Sequence, residues 1–253
     1  MSATGWLAAL ADRLERMPDG SVRWWFRDDD AGWADDRLWE LAAVLGDSPF
    51  TLSVAAIPEA LGSGAGRRLA ALADAGRVLI HQHGRAHVNH EPTGRRCEFG
   101  LTRTATQQQE DLVAGRTLLQ RAVDGRADGI FVPPWNRCSD ATLALLADLG
   151  YSGLSRDRAP VAAHQPIPEV GVNVDWVRAW REGGTEAVGA ALAAAVPAAV
   201  GGPPVGVMLH HAEMNADDWG ALRALGAALD HPAVAPVSLS ELIDRAATAA
   251  SIR

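Results

Sequence analysis

The chain has 253 residues, 48% of them hydrophobic, and its 23 basic residues against 31 acidic ones leave a formal net charge of −8. That length and apolar content suit one large core of the kind single α/β barrels build, so one domain over 1–253 is expected. The acidic balance, with no basic stripe, speaks against a nucleic-acid partner. All basic residues are Arg, and the complete absence of Lys excludes Schiff-base chemistry by this chain.

Residues 3–17 predict an amphipathic helix, because charges interrupt what a signal peptide would keep apolar. No stretch reaches the roughly eighteen apolar residues of a membrane span, and the Ala-rich 187–200 is too short, so no membrane partner is expected. Cys97 and Cys138 have no second Cys at metal-ligand spacing, which suits a reducing, cytoplasmic setting. Apolar runs at 21–26, 50–57, 77–80, 129–132, 171–174 and 205–209 predict strands. Helical patterns fall at 34–46, 65–75, 104–123, 139–149, 183–199, 215–229 and 239–249. This alternation predicts a mostly parallel sheet, open or closed into a barrel.

Four of the eight His lie in one run, His81, His83, His87 and His90, and two more form the pair His210 and His211. His83 and His87, four residues apart, together with a carboxylate from the triplet Asp28, Asp29, Asp30, would make a three-ligand, open-sided site for a divalent metal. Each polar cluster follows a predicted strand: the triplet the first, the histidine run the third, 133–137 the fourth, Asp175 and Trp176 the fifth, and His210 and His211 the sixth. The C-terminal ends of barrel strands are where active sites form. Alternation along a strand leaves open whether Asp28 and Asp30 both point inward.

Read in order, these clusters resemble the five motifs of the NodB-type polysaccharide deacetylases, carbohydrate esterase family 4, over residues 22–245. The Thr-Phe-Asp-Asp-Gly motif looks like residues 27–32, with Asp29 and Asp30 as the Asp pair, and the His-containing second motif is similar to residues 82–87. Arg-x-Pro-Tyr corresponds to 132–135, Asp-Trp to Asp175 and Trp176, and Leu-x-His to 208–210. The resemblance implies an irregular, incomplete (β/α) barrel and a metal-dependent deacetylase acting on C–N bonds other than peptide bonds. Asp30, His83 and His87 would hold the metal, zinc before cobalt, manganese or nickel. Asp29 would take the proton of the attacking water, the Trp135 N–H would face the oxyanion, and His210, oriented by Asp175, would protonate the departing amine. Trp135, Asn136, Arg137, Trp176 and His211 would contact substrate.

Three departures leave alternatives open. The third-motif Arg is Val132 here, so Arg27 or Arg137 must supply the cation that pairs with the base. The extra Asp allows Asp28 and Asp29 as the functional pair, and His211 competes with His210 as the acid. With no export signal read in the sequence and little chain for gripping a polymer, a small or carrier-linked acetamido substrate is expected. A non-sugar amide or imide, or a silent carbohydrate-binding relative, are the alternatives.

Overall fold

In the computed structural model, residues 5–46, 48–157 and 166–251 are described; His164, expected in an exposed loop, lies outside them. A 3₁₀ turn (Gly5–Leu7) leads into α1 (Ala8–Leu14), a shorter helix than the 3–17 of the sequence reading. There follow β1 (Val22–Ala31), α2 (Asp35–Val44), β2 (Leu52–Ala56), α3 (Ser63–Asp74), β3 (Val78–His83) and α4 (Ala105–Ala122). The second half adds β4 (Ala127–Val132), α5 (Asp140–Asp148), β5 (Gly153–Arg156), β6 (Glu169–Gly171), β7 (Val174–Asp175) and α6 (Trp176–Ala195). It closes with β8 (Val205–Leu209), α7 (Ala216–Ala228), β9 (Val234–Pro236) and α8 (Leu239–Ser251).

All strands pair in parallel, in the order β6-β5-β4-β3-β2-β1-β8-β7, with β9 also against β1. The two ends of this path, β6 and β7, are joined by only Val172 and Asn173, so the sheet must curl until its edges meet. Those two residues bridge the seam: Val172 N–H donates to Arg156 of β5, and Asn173 N–H to Gly206 of β8. The result is an incomplete (β/α) barrel. Two strands went unpredicted, β5 and β9, because each is only three or four residues long and carries Ser, Arg or Pro in place of an apolar run. The single strand expected at 171–174 is divided between β6 and β7 at the seam.

Both sheet faces are covered, which is why β1 and β2 are buried almost throughout. On β1, Trp24 and Phe26 join the core between strands and helices, while Trp25 joins a second cluster with Ile130, Met208 and α8 inside the barrel. This alternation decides the site: it turns Arg27 and Asp29 inward and Asp28 outward. Capping boxes start α4, at Thr104 and Gln107, and α7, at Asn215 and Asp218.

Candidate metal centre and active site

β1 ends in the acidic triplet, and the backbone at its last acid sorts the three carboxylates. Asp30 sits at φ 73°, a left-handed conformation costly for a non-glycine residue. The break in pleat turns Asp30 to the same side as Asp29, so two consecutive acids act on His83. Asp30 Oδ1 lies 3.2 Å from His83 Nε2 and 3.3 Å from His87 Nε2. Asp30, His83 and His87 are the one group of three or more potential metal ligands among the described residues, their donor atoms all within 4.8 Å of one another.

The donor set fits a cation. His83 Nδ1 lies 3.0 Å from the Val132 carbonyl, so that nitrogen carries the proton and Nε2 presents a lone pair toward Asp30. A lone pair facing a carboxylate is repulsive unless a cation stands between them, and Asp30 Oδ1 is buried with no hydrogen-bond partner among the described residues. Burial alone would lower the His83 pKa, yet the carboxylates of Asp30 and Asp29 raise it overall, the same preference for positive charge at this point. For Asp30, burial opposes the charge but the facing imidazoles hold its carboxyl far below the ordinary range. His87 drops to about 4 through burial and the neighbouring His83, which keeps it neutral and ready to ligate.

Asp29 is paired from its own strand. Arg27, wholly buried, donates Nε–H to Asp29 Oδ1 at 2.8 Å and Nη2–H to Oδ2 at 2.9 Å. The guanidinium is fixed in turn by the Ser155 hydroxyl at 2.9 Å and the Asn136 side-chain carbonyl at 2.6 Å. Burial would raise the Asp29 pKa, but Arg27, His83 and His210 outweigh it and hold the carboxylate ionised. Arg27, and not Arg137, therefore supplies the cation missing at Val132; Arg137 donates to the Arg96 carbonyl. Asn136 is a buried support for Arg27, not the expected substrate contact.

Asp28 faces the other way and is excluded from both alternatives that gave it a place in the site. Its Oδ2 lies 2.6 Å from His211 Nδ1, its Oδ1 accepts the His211 backbone N–H at 2.9 Å, and His211 Nε2 lies 2.8 Å from the Trp33 carbonyl. His211 is 0% exposed, so it is neither the acid nor a substrate contact. Burial disfavours its charge, but Asp28 prevails and raises the pKa to about 9.

Two further expectations are corrected. Asp175 does not orient His210: its Oδ1 caps α6 by accepting the Arg178 N–H at 3.0 Å, and His210 Nδ1 is buried without a hydrogen-bond partner among the described residues. Trp176 is 0% exposed, wedged between Trp6 and Trp180 with its indole N–H donating to Asp218, so it offers no face to substrate. Trp135 does stand at the site, its ring 4.3 Å from that of His87, in a turn where Trp135 and Asn136 both have left-handed φ.

Sequence reasoning overlooked Trp33 and Glu98. Trp33, 41% exposed, lies edge-on to His87 at 4.8 Å. Glu98, buried, accepts the N–H groups of Arg85 and Ala86 and clamps the turn between His83 and His87. Gly84 must be glycine there: φ is +63°, and a Cβ would come 2.0 Å from Glu98 Oε2. Trp33 had a signal, three residues past the triplet. Glu98 had none, lying eleven residues beyond His87 in an irregular loop. His81 is also buried, with Nδ1 2.7 Å from Asp128 inside the barrel.

No family model matches this sequence, and no curated protein does. Solved structures do match across nearly the whole chain. A putative polysaccharide deacetylase from Mycobacterium smegmatis is 13% identical with a TM-score of 0.64, over 91% of this chain and 92% of that one. The fold is that of the family 4 carbohydrate esterases. A family 4 carbohydrate esterase from Streptomyces lividans, in complex with acetate, matches with TM-score 0.57 and 13% identity over 88% and 93% of the two chains. A family 4 pseudoenzyme mutant with restored enzymatic activity matches at 0.61 and 13% over 90% of this chain and 69% of its own.

Proposed function

We propose that the protein is a metal-dependent deacetylase that removes an N-acetyl or related acyl group from an amino sugar or a similar small amide. The observation that carries this reading is the division of labour between consecutive acids, Asp29 paired with Arg27 and Asp30 facing two imidazole nitrogens. A divalent cation on Asp30, His83 and His87, zinc by its donor preference, would supply Lewis-acid activation of water and carbonyl. Support for acetyl as the group removed comes from the S. lividans esterase in complex with acetate. Support for a divalent ion comes from a Clostridium thermocellum acetyl xylan esterase in complex with cobalt.

The chain's own residues then divide the proton work. Asp29, held ionised, accepts the proton of the attacking water. His210 returns a proton to the nitrogen, which leaves poorly as an anion. The Trp135 N–H faces the developing oxyanion. Trp33 and Trp135 offer rigid, half-polar rings beside His87 for the apolar face of a sugar. The silent-relative reading rested on the missing third-motif Arg, and Arg27 removes that support.

Acetate release from a panel of acetamido sugars and non-sugar acetamides, with and without chelator, tests the proposal. Release from small or carrier-linked substrates that chelator abolishes and zinc restores is the expected result. Release from non-sugar amides only would move the substrate class, and metal-loaded protein inactive on the whole panel would refute the enzyme reading.

A further inference from the structure

The sequence assigned Asp175 to orient His210, and the structure withdraws it, which leaves the orientation of the acid to be explained. Among the described residues, no carboxylate bonds Nδ1 of the His210 ring. Its backbone, by contrast, is fastened. The peptide N–H that follows His210 donates to Asp28 Oδ1, and the two ring nitrogens of His211 tie the same point to Asp28 Oδ2 and to the Trp33 carbonyl. One residue further on, Arg37 donates to the Ala212 carbonyl at 2.6 Å, and Glu213 N–H closes the turn onto the His210 carbonyl at 2.9 Å. The exit of β8 is thus strapped to the exit of β1, the strand that carries Asp29 and Asp30.

We infer that Asp28 and His211 are positioning residues for His210, replacing a carboxylate on its ring by a buried ion pair that fixes its peptide. The inference rests on the proposed function, in which His210 is the acid. Asp28 stands where the resembled motif has Phe, so the motif itself supplies no carboxylate at this point on the outer face of β1. The ion pair also holds Trp33, so one device sets both the acid and the exposed indole beside His87.

Leaving groups separate this role from a structural one. An amide nitrogen needs the acid, whereas a nitrophenolate departs unaided, so misplacing His210 slows amide cleavage alone. With wild-type metal content, Asp28→Ala and His211→Phe should lower kcat on the acetamide substrate about 30- to 100-fold. Hydrolysis of 4-nitrophenyl acetate should stay within about threefold, because Asp29 and the ligand set are untouched. Asp28→Asn, which keeps an acceptor for the His211 N–H, should recover much of the loss. If the variants fail to fold, hydrogen exchange of the His211 amide in the wild-type protein serves instead, with strong protection expected. Equal losses on both substrates, no loss on either, or an unprotected amide would overturn the inference. A metal-loaded wild type inactive on both substrates would overturn it together with the functional reading, whereas failure of the inference alone leaves wild-type hydrolysis intact.

Discussion

Arg27 and Asp29 lie two residues apart on one strand and meet in a two-bond ion pair inside the barrel. Strand alternation alone puts them on one face, and the small, polar Ser155 and Asn136 across the barrel leave room for the guanidinium. The cation that the resembled motif draws from another strand is here supplied by the residue two positions before the base.

Removing that cation should expose the base to its own desolvation. Arg27→Leu would leave a buried carboxylate uncompensated, at a cost of roughly 3–5 kcal/mol in stability. The Asp29 pKa, now depressed, would rise. Activity requires the ionised form, so the acid limb of the pH–rate profile should move to higher pH. The double variant Arg27→Leu with Val132→Arg, which restores the motif's arrangement, should move it back.

The Asp28–His211 pair makes stability depend on pH in the alkaline direction. A histidine whose folded pKa is raised contributes fully below its unfolded value near 6.5 and loses that contribution as pH rises through about 9. The shift corresponds to something on the order of 3 kcal/mol. Urea midpoints should therefore fall between pH 6.5 and 9.5 in the wild type, and fall less over that window in His211→Phe.

Two residues from the fourth motif should behave as scaffold. Trp176→Ala empties a fully buried site and should cost about 3–5 kcal/mol, with KM of the folded protein unchanged. Asp175→Ala removes a helix cap worth about 1 kcal/mol, with kcat within about threefold of wild type. Trp33→Ala should do the reverse, raising KM while thermal stability holds. Thermal melts and steady-state kinetics on the three variants distinguish these patterns.

Metal binding should release a proton. His83 is raised and His87 depressed, so protons released on metal binding should come from His83 before His87. Affinity should rise with pH through the His83 titration. Calorimetry in buffers of different ionisation enthalpy counts the protons directly, and Glu98→Ala should weaken binding by loosening the turn between the ligands.

The alternation of strands and helices, and the rim on which the polar clusters gather, could be read from the sequence, because β2 and β8 are near-continuous apolar runs and β1 opens on the apolar Trp24, Trp25 and Phe26. The grouping of Asp30, His83 and His87 was legible because Asp30 and His83 lie a few residues past the apolar runs 21–26 and 77–80. Asp28 was ambiguous because the decisive fact, the left-handed backbone at Asp30, breaks the alternation that sequence reasoning relies on. His211 and Trp176 were misread as substrate contacts because adjacency to a motif residue does not reveal which way a side chain turns. Glu98 was invisible because its bonds go to backbone amides, which carry no sequence signature.

The central claim is that Asp30 is the ligand and Asp29 the base, and elemental analysis of two purified variants tests it most directly. Asp29→Asn should retain about one divalent ion per chain, and Asp30→Ala should retain none. Full metal content in Asp30→Ala, with loss in Asp29→Asn, would contradict the assignment.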